Sequence, residues 1–232
     1  MPFIGNKPAS VPLTSADIAD SIITSAKIVD GTIVNADINA SAGIDASKLT
    51  GISSDYVLLA TTIASSVASV SFDGFFSSTY TNYEVIISDV RPVSANVRLY
   101  SRLRRSNADV TASNYSSAGR RTYEVKSASD ANDGRFSDNA AEFDILTNSS
   151  PASSSRTTGS KIIIYNPLST TSYKKVDFQS IGPSDDAGGT FGLWNVNQAG
   201  QLTDNTNALS GISFFYDSGN ISEGVFKLYG IK

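Results

Sequence analysis

The chain has 232 residues, 40% hydrophobic and 17% charged, and its 18 Lys and Arg against 22 Asp and Glu give a net charge of −4 at pH 7. That balance argues against a protein built to coat nucleic acid. It contains no cysteine and no histidine, which removes disulfide staples, thiol nucleophiles, Cys/His zinc sites and His general bases together. Its opening, Met1 to Pro8, has no apolar stretch of secretory length, and no later run approaches the roughly eighteen apolar residues that cross a bilayer. A chain made in a cytoplasm and used as it stands is expected.

Residues 1–12 carry Pro2, Pro8 and Pro12 around Phe3 and Ile4, which predicts an extended, non-helical segment. Phe3 and Ile4 have no periodic partners nearby. They are candidate docking residues for another protein; an ordinary chain terminus is the alternative.

From residue 13 to 52 a large aliphatic returns every five positions: Leu13, Ile18, Ile23, Ile28, Ile33, Ile38 and, after one extra residue, Ile44 and Leu49. Units of the form Ala16-Asp17-Ile18, Ala26-Lys27-Ile28 and Ala36-Asp37-Ile38 alternate with Ser21-Ile22-Ile23 and Gly31-Thr32-Ile33. A period of five fits neither a helix face nor a strand face. On a helix each step would advance about 140° beyond a full turn and smear the aliphatics round the circumference. The pattern predicts instead a winding in which every unit points one aliphatic inward and needs stacked neighbours to bury it. One chain has too few units to close a core of its own. Sister chains or a docking surface must complete it, and three chains about one axis would do so. A polar leader that is disordered in isolation is the other reading. The arm is mildly acidic, with Asp17, Asp20, Asp30, Asp37 and Asp45 against Lys27 and Lys48.

After a joint at Ser53-Ser54-Asp55, the texture changes from Tyr56 to period two. Ala68 to Phe72, Tyr83 to Ile87 and Val97 to Arg104 alternate apolar and polar residues, as half-buried strands do. The texture recurs at Arg121 to Lys126, Ala141 to Leu146, Lys161 to Tyr165, Lys175 to Ile181, Thr190 to Val196, Ile212 to Tyr216 and Val225 to Ile231. Turn-forming loops are predicted at Asp130 to Gly134, Thr147 to Gly159, Pro183 to Gly189 and Ala199 to Asn207. About ten strands without a convincing amphipathic helix predict a mainly β head over residues 53–232, an antiparallel β-sandwich of jelly-roll type.

Few groupings could carry chemistry. Asp185-Asp186 is an adjacent acidic pair, but its Pro and Gly neighbours make it a turn first. Asp130 to Gly134, with Asp138 and Glu142, offers oxygen ligands without the spacing of a calcium loop. No cofactor is implied, and the reading is non-enzymatic. Strand alternation puts Arg98, Tyr100, Arg102 and Arg104 on one face, a stripe able to meet an anionic glycan or phosphate. The competing reading pairs that stripe with the acidic segment that follows it, Asp130 to Asp144. Trp194 is either a sugar-stacking platform or a core residue.

The Ala-Asp-Ile units, the opening Met1-Pro2-Phe3-Ile4-Gly5 and the ending Phe226-Lys227-Leu228-Tyr229-Gly230-Ile231-Lys232 resemble tail-fibre and related appendage proteins of tailed bacteriophages. The same units also resemble pentapeptide-repeat proteins, which need more repeats than this chain has. The phage resemblance implies a homotrimeric virion protein attached to the capsid or tail by its N-terminus, with the sandwich facing outward toward host surface polysaccharide. It carries over no binding residue. A capsid decoration protein that binds no receptor is the alternative, and a polysaccharide depolymerase is a third. Neither nucleic acid nor membrane insertion is expected.

Overall fold

The computed structural model describes residues 14, 18–19, 21–39, 41–44, 55–125, 131–150, 156–185 and 191–232. The docking candidates Phe3 and Ile4 and the repeat positions Leu13 and Leu49 lie outside them. The chain divides into two units, residues 1–53 and residues 54–232.

In the first unit the five-residue spacing appears as a succession of tight turns. Backbone N–H groups of Ile22, Lys27, Thr32, Asp37 and Ala42 donate to the carbonyls of Ala19, Thr24, Val29, Val34 and Asn39, at 2.8–3.3 Å. Short polar side chains hold these turns. The Thr32 hydroxyl donates to the Val29 carbonyl (2.6 Å), the Asp37 carboxylate accepts the Val34 N–H (2.9 Å), and Asn39 Oδ1 accepts the Ser41 N–H (2.8 Å). This is the local bonding for which Asn, Asp and Thr are favoured in turns. Two of the turns tighten into single 3₁₀ turns, Ser25–Lys27 and Asn35–Asp37.

The second unit is an antiparallel β-sandwich of two open sheets. Its strands are β1 (Tyr56–Val67), β2 (Ser69–Asp73), β3 (Asn82–Pro92), β4 (Val97–Arg105), β5 (Ala108–Asp109), β6 (Tyr115–Val125), β7 (Ala131–Ala140), β8 (Phe143–Ser150), β9 (Thr158–Tyr165), β10 (Lys174–Asp185), β11 (Phe191–Leu202), β12 (Gly211–Tyr216) and β13 (Ile221–Ile231). The larger sheet has eight strands in the order β1-β13-β3-β9-β10-β11-β6-β7. The smaller runs β2-β12-β4-β5, with β8 also paired to β4.

Period-two alternation builds the core. On β4, Val97, Leu99 and Leu103 are buried while Arg98 and Arg104 point away; on β9, Ile162 and Ile164 are buried. Facing residues from the two sheets, among them Val85, Phe178, Val196 and Phe226 from one and Phe72, Phe143, Ile212 and Phe214 from the other, fill the space between them. Aromatic edges interlock there, with Phe143 4.7 Å from Tyr115 and 5.0 Å from Phe178, centroid to centroid. Several polar groups taken inside are partnered, while the Ser101 hydroxyl, on β4, has no hydrogen-bond partner among the described residues. The Ser160 hydroxyl donates to Ser180 (3.0 Å), and the Tyr115 hydroxyl accepts the Leu103 N–H (3.1 Å) and donates to the Val110 carbonyl (2.8 Å).

Lys174 is 1% exposed, and its ammonium donates to the carbonyls of Ser169, Ser172 and Thr206. It thereby ties the β9–β10 and β11–β12 connections together. Burial first, and then the nearby Arg105 charge, push its pKa below the ordinary lysine range.

All four expected loops are in part strand: residues 147–150 close β8, residues 158–159 open β9 and residues 183–185 close β10. Residues 131–134 belong to β7, where Gly134 pairs with Arg120 and Asp133 with Arg121, and residues 199–202 continue β11 against β10 and β6. An edge strand such as β7 needs only backbone bonds on one side, so its composition is free to look like a turn.

Candidate functional site

The arm presents the first surface that the fold leaves unexplained. Ile18, Ile22, Ile23, Ile28, Val29, Ile33, Val34, Ile38 and Ile44 are 40–72% exposed. From residue 19 to residue 44, hydrogen bonds among the described residues reach no further than three positions. Exposure also alternates along the repeat: Ile18, Ile28 and Ile38 stand at 40–43%, Ile23 and Ile33 at 55–56%. The structural period is therefore ten residues, two turns, and the Ala-Asp/Lys-Ile units form its more sheltered face. Contiguous apolar exposure of this kind marks an interaction surface.

The arginine stripe of β4 does share one face, as strand alternation requires. Its charges are engaged within the head. Arg98 Nη1 lies 3.8 Å from Asp144, Arg102 Nη2 2.7 Å from Glu142, and Arg104 bonds Asp73 (2.9 Å) and Asp109. The neighbouring Arg105 pairs with Asp204. Arg102 also lies over the Phe215 ring, 4.6 Å from its centroid. Burial first, and then the Asp144 charge, raise the Tyr100 phenol above its ordinary range.

The stripe is split by its surroundings. Arg98 and Tyr100 line a cavity of about 290 Å³ with Glu142, Asp144, Gln198 and Phe136, whereas Arg102 and Arg104 do not. Two carboxylates against one guanidinium make this cavity a poor receptor for an anion. Trp194 is 4% exposed, with Arg121 stacked 4.2 Å from its ring centroid, so it packs rather than offering a platform. Neither carboxylate offered with the Asp130 to Gly134 segment is directed to a common point. Asp138 accepts the Ser116 hydroxyl at 2.6 Å, and Glu142 is held by Arg102.

A surface that no motif announces lies on the outer face of the larger sheet. Strand pairing sets Tyr165, Lys175, Gln201 and Ser116 in one row and Ile163, Asp177, Ala199, Ala118 and Phe136 in the next. Of these, Tyr165, Lys175, Gln201, Ser116, Asp177, Ala199 and Ala118 line a shallow groove of about 570 Å³ between β9 and β6. Its middle is low because Ala118 and Ala199 are small, while the Tyr165 ring stands at one side and Phe136, 88% exposed, stands on β7 beyond the other. Lys175 and Asp177 make no ion pair among the described residues. An aromatic ring, an amide, a hydroxyl and two uncommitted charges over a small-residue floor suit a polyhydroxylated ligand. Four strands, the consecutive β9, β10 and β11 together with β6, supply these groups. The only sequence signal was their solvent-side alternation, which every outward residue shares.

Among the described residues no helix is long and apolar enough to cross a membrane. No family model, curated protein or solved structure matches the chain.

Proposed function

We propose that this chain is a non-catalytic virion structural protein, a short trimeric fibre or spike. In this reading its N-terminal segment attaches to a particle, residues 13–52 wind with two sister copies, and the sandwich head presents a glycan-binding groove to a host surface. The carrying observation is the arm itself, an array of exposed aliphatics on a turn-built backbone whose bonds are local. Such a backbone leaves its apolar groups for other chains to cover. The resemblance of the repeat and of both chain ends to phage appendage proteins supports the virion context. Three heads on one stem would raise a weak single-site affinity by avidity.

The ligand surface in this reading is the Tyr165–Lys175–Asp177–Gln201 groove, because the β4 arginines are committed to carboxylates and Trp194 to packing. The test is binding of the purified full chain to an array of bacterial surface polysaccharides, beside Tyr165→Ala and Gln201→Ala. Retention on at least one polysaccharide, weakened tenfold or more by either substitution, is expected. Binding to none, with the assembly intact, would remove the receptor role. That outcome would favour a capsid decoration protein, a reading supported by the charge-neutralised outer face of the smaller sheet.

A further inference from the structure

Next to the Tyr165–Gln201 groove, the outer face of the larger sheet sinks a second time. Gly159, Lys161, Gln179, Ile181, Asn195 and Asn197, from β9, β10 and β11, line a shallow depression of about 380 Å³. Strand pairing sets Lys161, Gln179 and Asn197 in one outward row and Gly159, Ile181 and Asn195 in the next. Gly159 has no side chain to fill its place, and a Cβ there would meet nothing nearer than 3.6 Å.

The polar groups around this hollow are available. The side chains of Lys161 and Gln179 make no hydrogen bond or ion pair among the described residues. The Asn197 amide donates to Asn195 Oδ1 at 2.8 Å. That bond steadies both amides and leaves the Asn195 amide nitrogen and the Asn197 carbonyl oxygen to serve a ligand as donor and acceptor. Ile181, 50% exposed, adds an apolar flank.

We infer that this depression is a second subsite for the glycan, so that the head holds an internal stretch of a linear polysaccharide and not a single terminal sugar. This rests on the groove reading proposed above. The first argument is continuity. Asp177 and Ala199 belong to the groove, and Gln179 and Asn197, the next outward residues on the same two strands, belong to the depression. From Lys175 to Ile181 along β10 is six residue steps, about 20 Å, which exceeds the span of one sugar ring. The second argument is chemistry. Each half sets uncommitted polar side chains around a low floor, Ala118 and Ala199 in one and Gly159 in the other, beside an apolar group, Tyr165 or Ile181. Hydroxyls and C–H faces are the two kinds of surface that every sugar of a chain presents, so repeated subsites of this composition suit a repeated ligand. The outer face of the smaller sheet offers no such track, because its arginines are spent on carboxylates.

The test uses the full chain and fragments of increasing length from whichever polysaccharide it retains, with affinities read by calorimetry. For the native chain, affinity is expected to rise at least tenfold from the disaccharide to the longest fragment. The double substitution Gln179→Ala and Asn197→Ala should abolish that gain, lowering affinity for the longest fragment at least tenfold, whereas Tyr165→Ala should weaken binding at every length. Lys161→Ala repeats the test should the double variant fail to fold. An affinity independent of length would overturn the inference and leave the groove reading standing. So would a gain that survives the substitutions, as bridging between heads would give. Binding of the native chain to no polysaccharide would overturn both.

Discussion

Replacing Ile28 by Asn probes the arm at one of its more sheltered repeat positions. Ile28 retains 40% of its surface in the single chain, so covering that remainder is worth about 1 kcal/mol per copy on a scale of roughly 1.5–3 kcal/mol for a whole aliphatic side chain. Asn forfeits this gain and carries an amide into the seam at a further cost of about 1 kcal/mol or more. Across three copies the loss is roughly 6 kcal/mol, and with each 1.4 kcal/mol worth tenfold, half-dissociation should move up about ten-thousandfold in the constant governing trimer formation. Because that constant scales with the square of the protein concentration at fixed stoichiometry, the midpoint should rise about a hundredfold. Sedimentation or mass photometry across a dilution series reads the midpoint directly. Thermal unfolding of the head should not change, since the buried hydrophobic core runs from Ala64 to Leu228. A midpoint that moves less than threefold would refute the reasoning, because it would mean that Ile28 is not covered when copies meet.

Two further outcomes concern the head. Tyr115→Phe removes the hydroxyl that serves the Leu103 N–H and the Val110 carbonyl at a site 1% exposed. Leaving such groups unserved costs about 2 kcal/mol. A fall in Tm of roughly 4–8 °C is expected by calorimetry for a domain of this size, and a fall under 1 °C would show that the groups find other partners. Glu223 is held below the usual glutamate range by the hydrogen bond from the Arg91 guanidinium at 2.5 Å, against an opposing effect of burial. A lowered folded-state pKa means that the unfolded chain binds more protons through this window, so stability rises with pH there. The contribution is complete above the usual glutamate pKa of about 4.3 and is lost as pH falls through the lower folded value. Urea midpoints of the native chain and Glu223→Gln should therefore differ at pH 7 and converge below pH 4; a gap that stays constant would contradict the assignment.

The fold was legible wherever burial constrained both neighbours of a residue. On β4 the alternation of Val97, Leu99 and Leu103 with arginines appears in the sequence because one face must be apolar and the other must not. It was not legible at β7, where Ala131 to Gly134 pairs with β6 at the edge of the sheet, nor at β1, an edge strand with Thr61, Thr62 and Ser65 among its aliphatics. The arm shows the same division. The five-residue spacing announced a winding of short units but not that each is a tight hydrogen-bonded turn, to which Thr32, Asp37 and Asn39 contribute side-chain bonds. Its alternation between more and less sheltered aliphatics follows from the backbone and emerges only with it.

Candidate ligand residues were harder to read because strand order decides which of them meet. Arg98, Arg102 and Arg104 were visible as a stripe, and Glu142 and Asp144 come from the acidic segment expected to pair with it. Asp73, Asp109 and Asp204, however, arrive from other parts of the chain. The groove on the larger sheet draws Ser116, Tyr165, Lys175 and Gln201 from β6, β9, β10 and β11. No local spacing joins these residues, and only the pairing of β10 with β9 and β11, and of β11 with β6, sets them side by side.

The most direct test of the account is the native mass of the full chain measured beside that of a chain beginning at Ser53, both in dilute buffer. A trimeric full chain and a monomeric truncation are the predicted pair, since the arm supplies the array of exposed aliphatics that copies would cover. Two monomers would contradict the claim that the repeat is an oligomerising stem, and two trimers would transfer that role to the head.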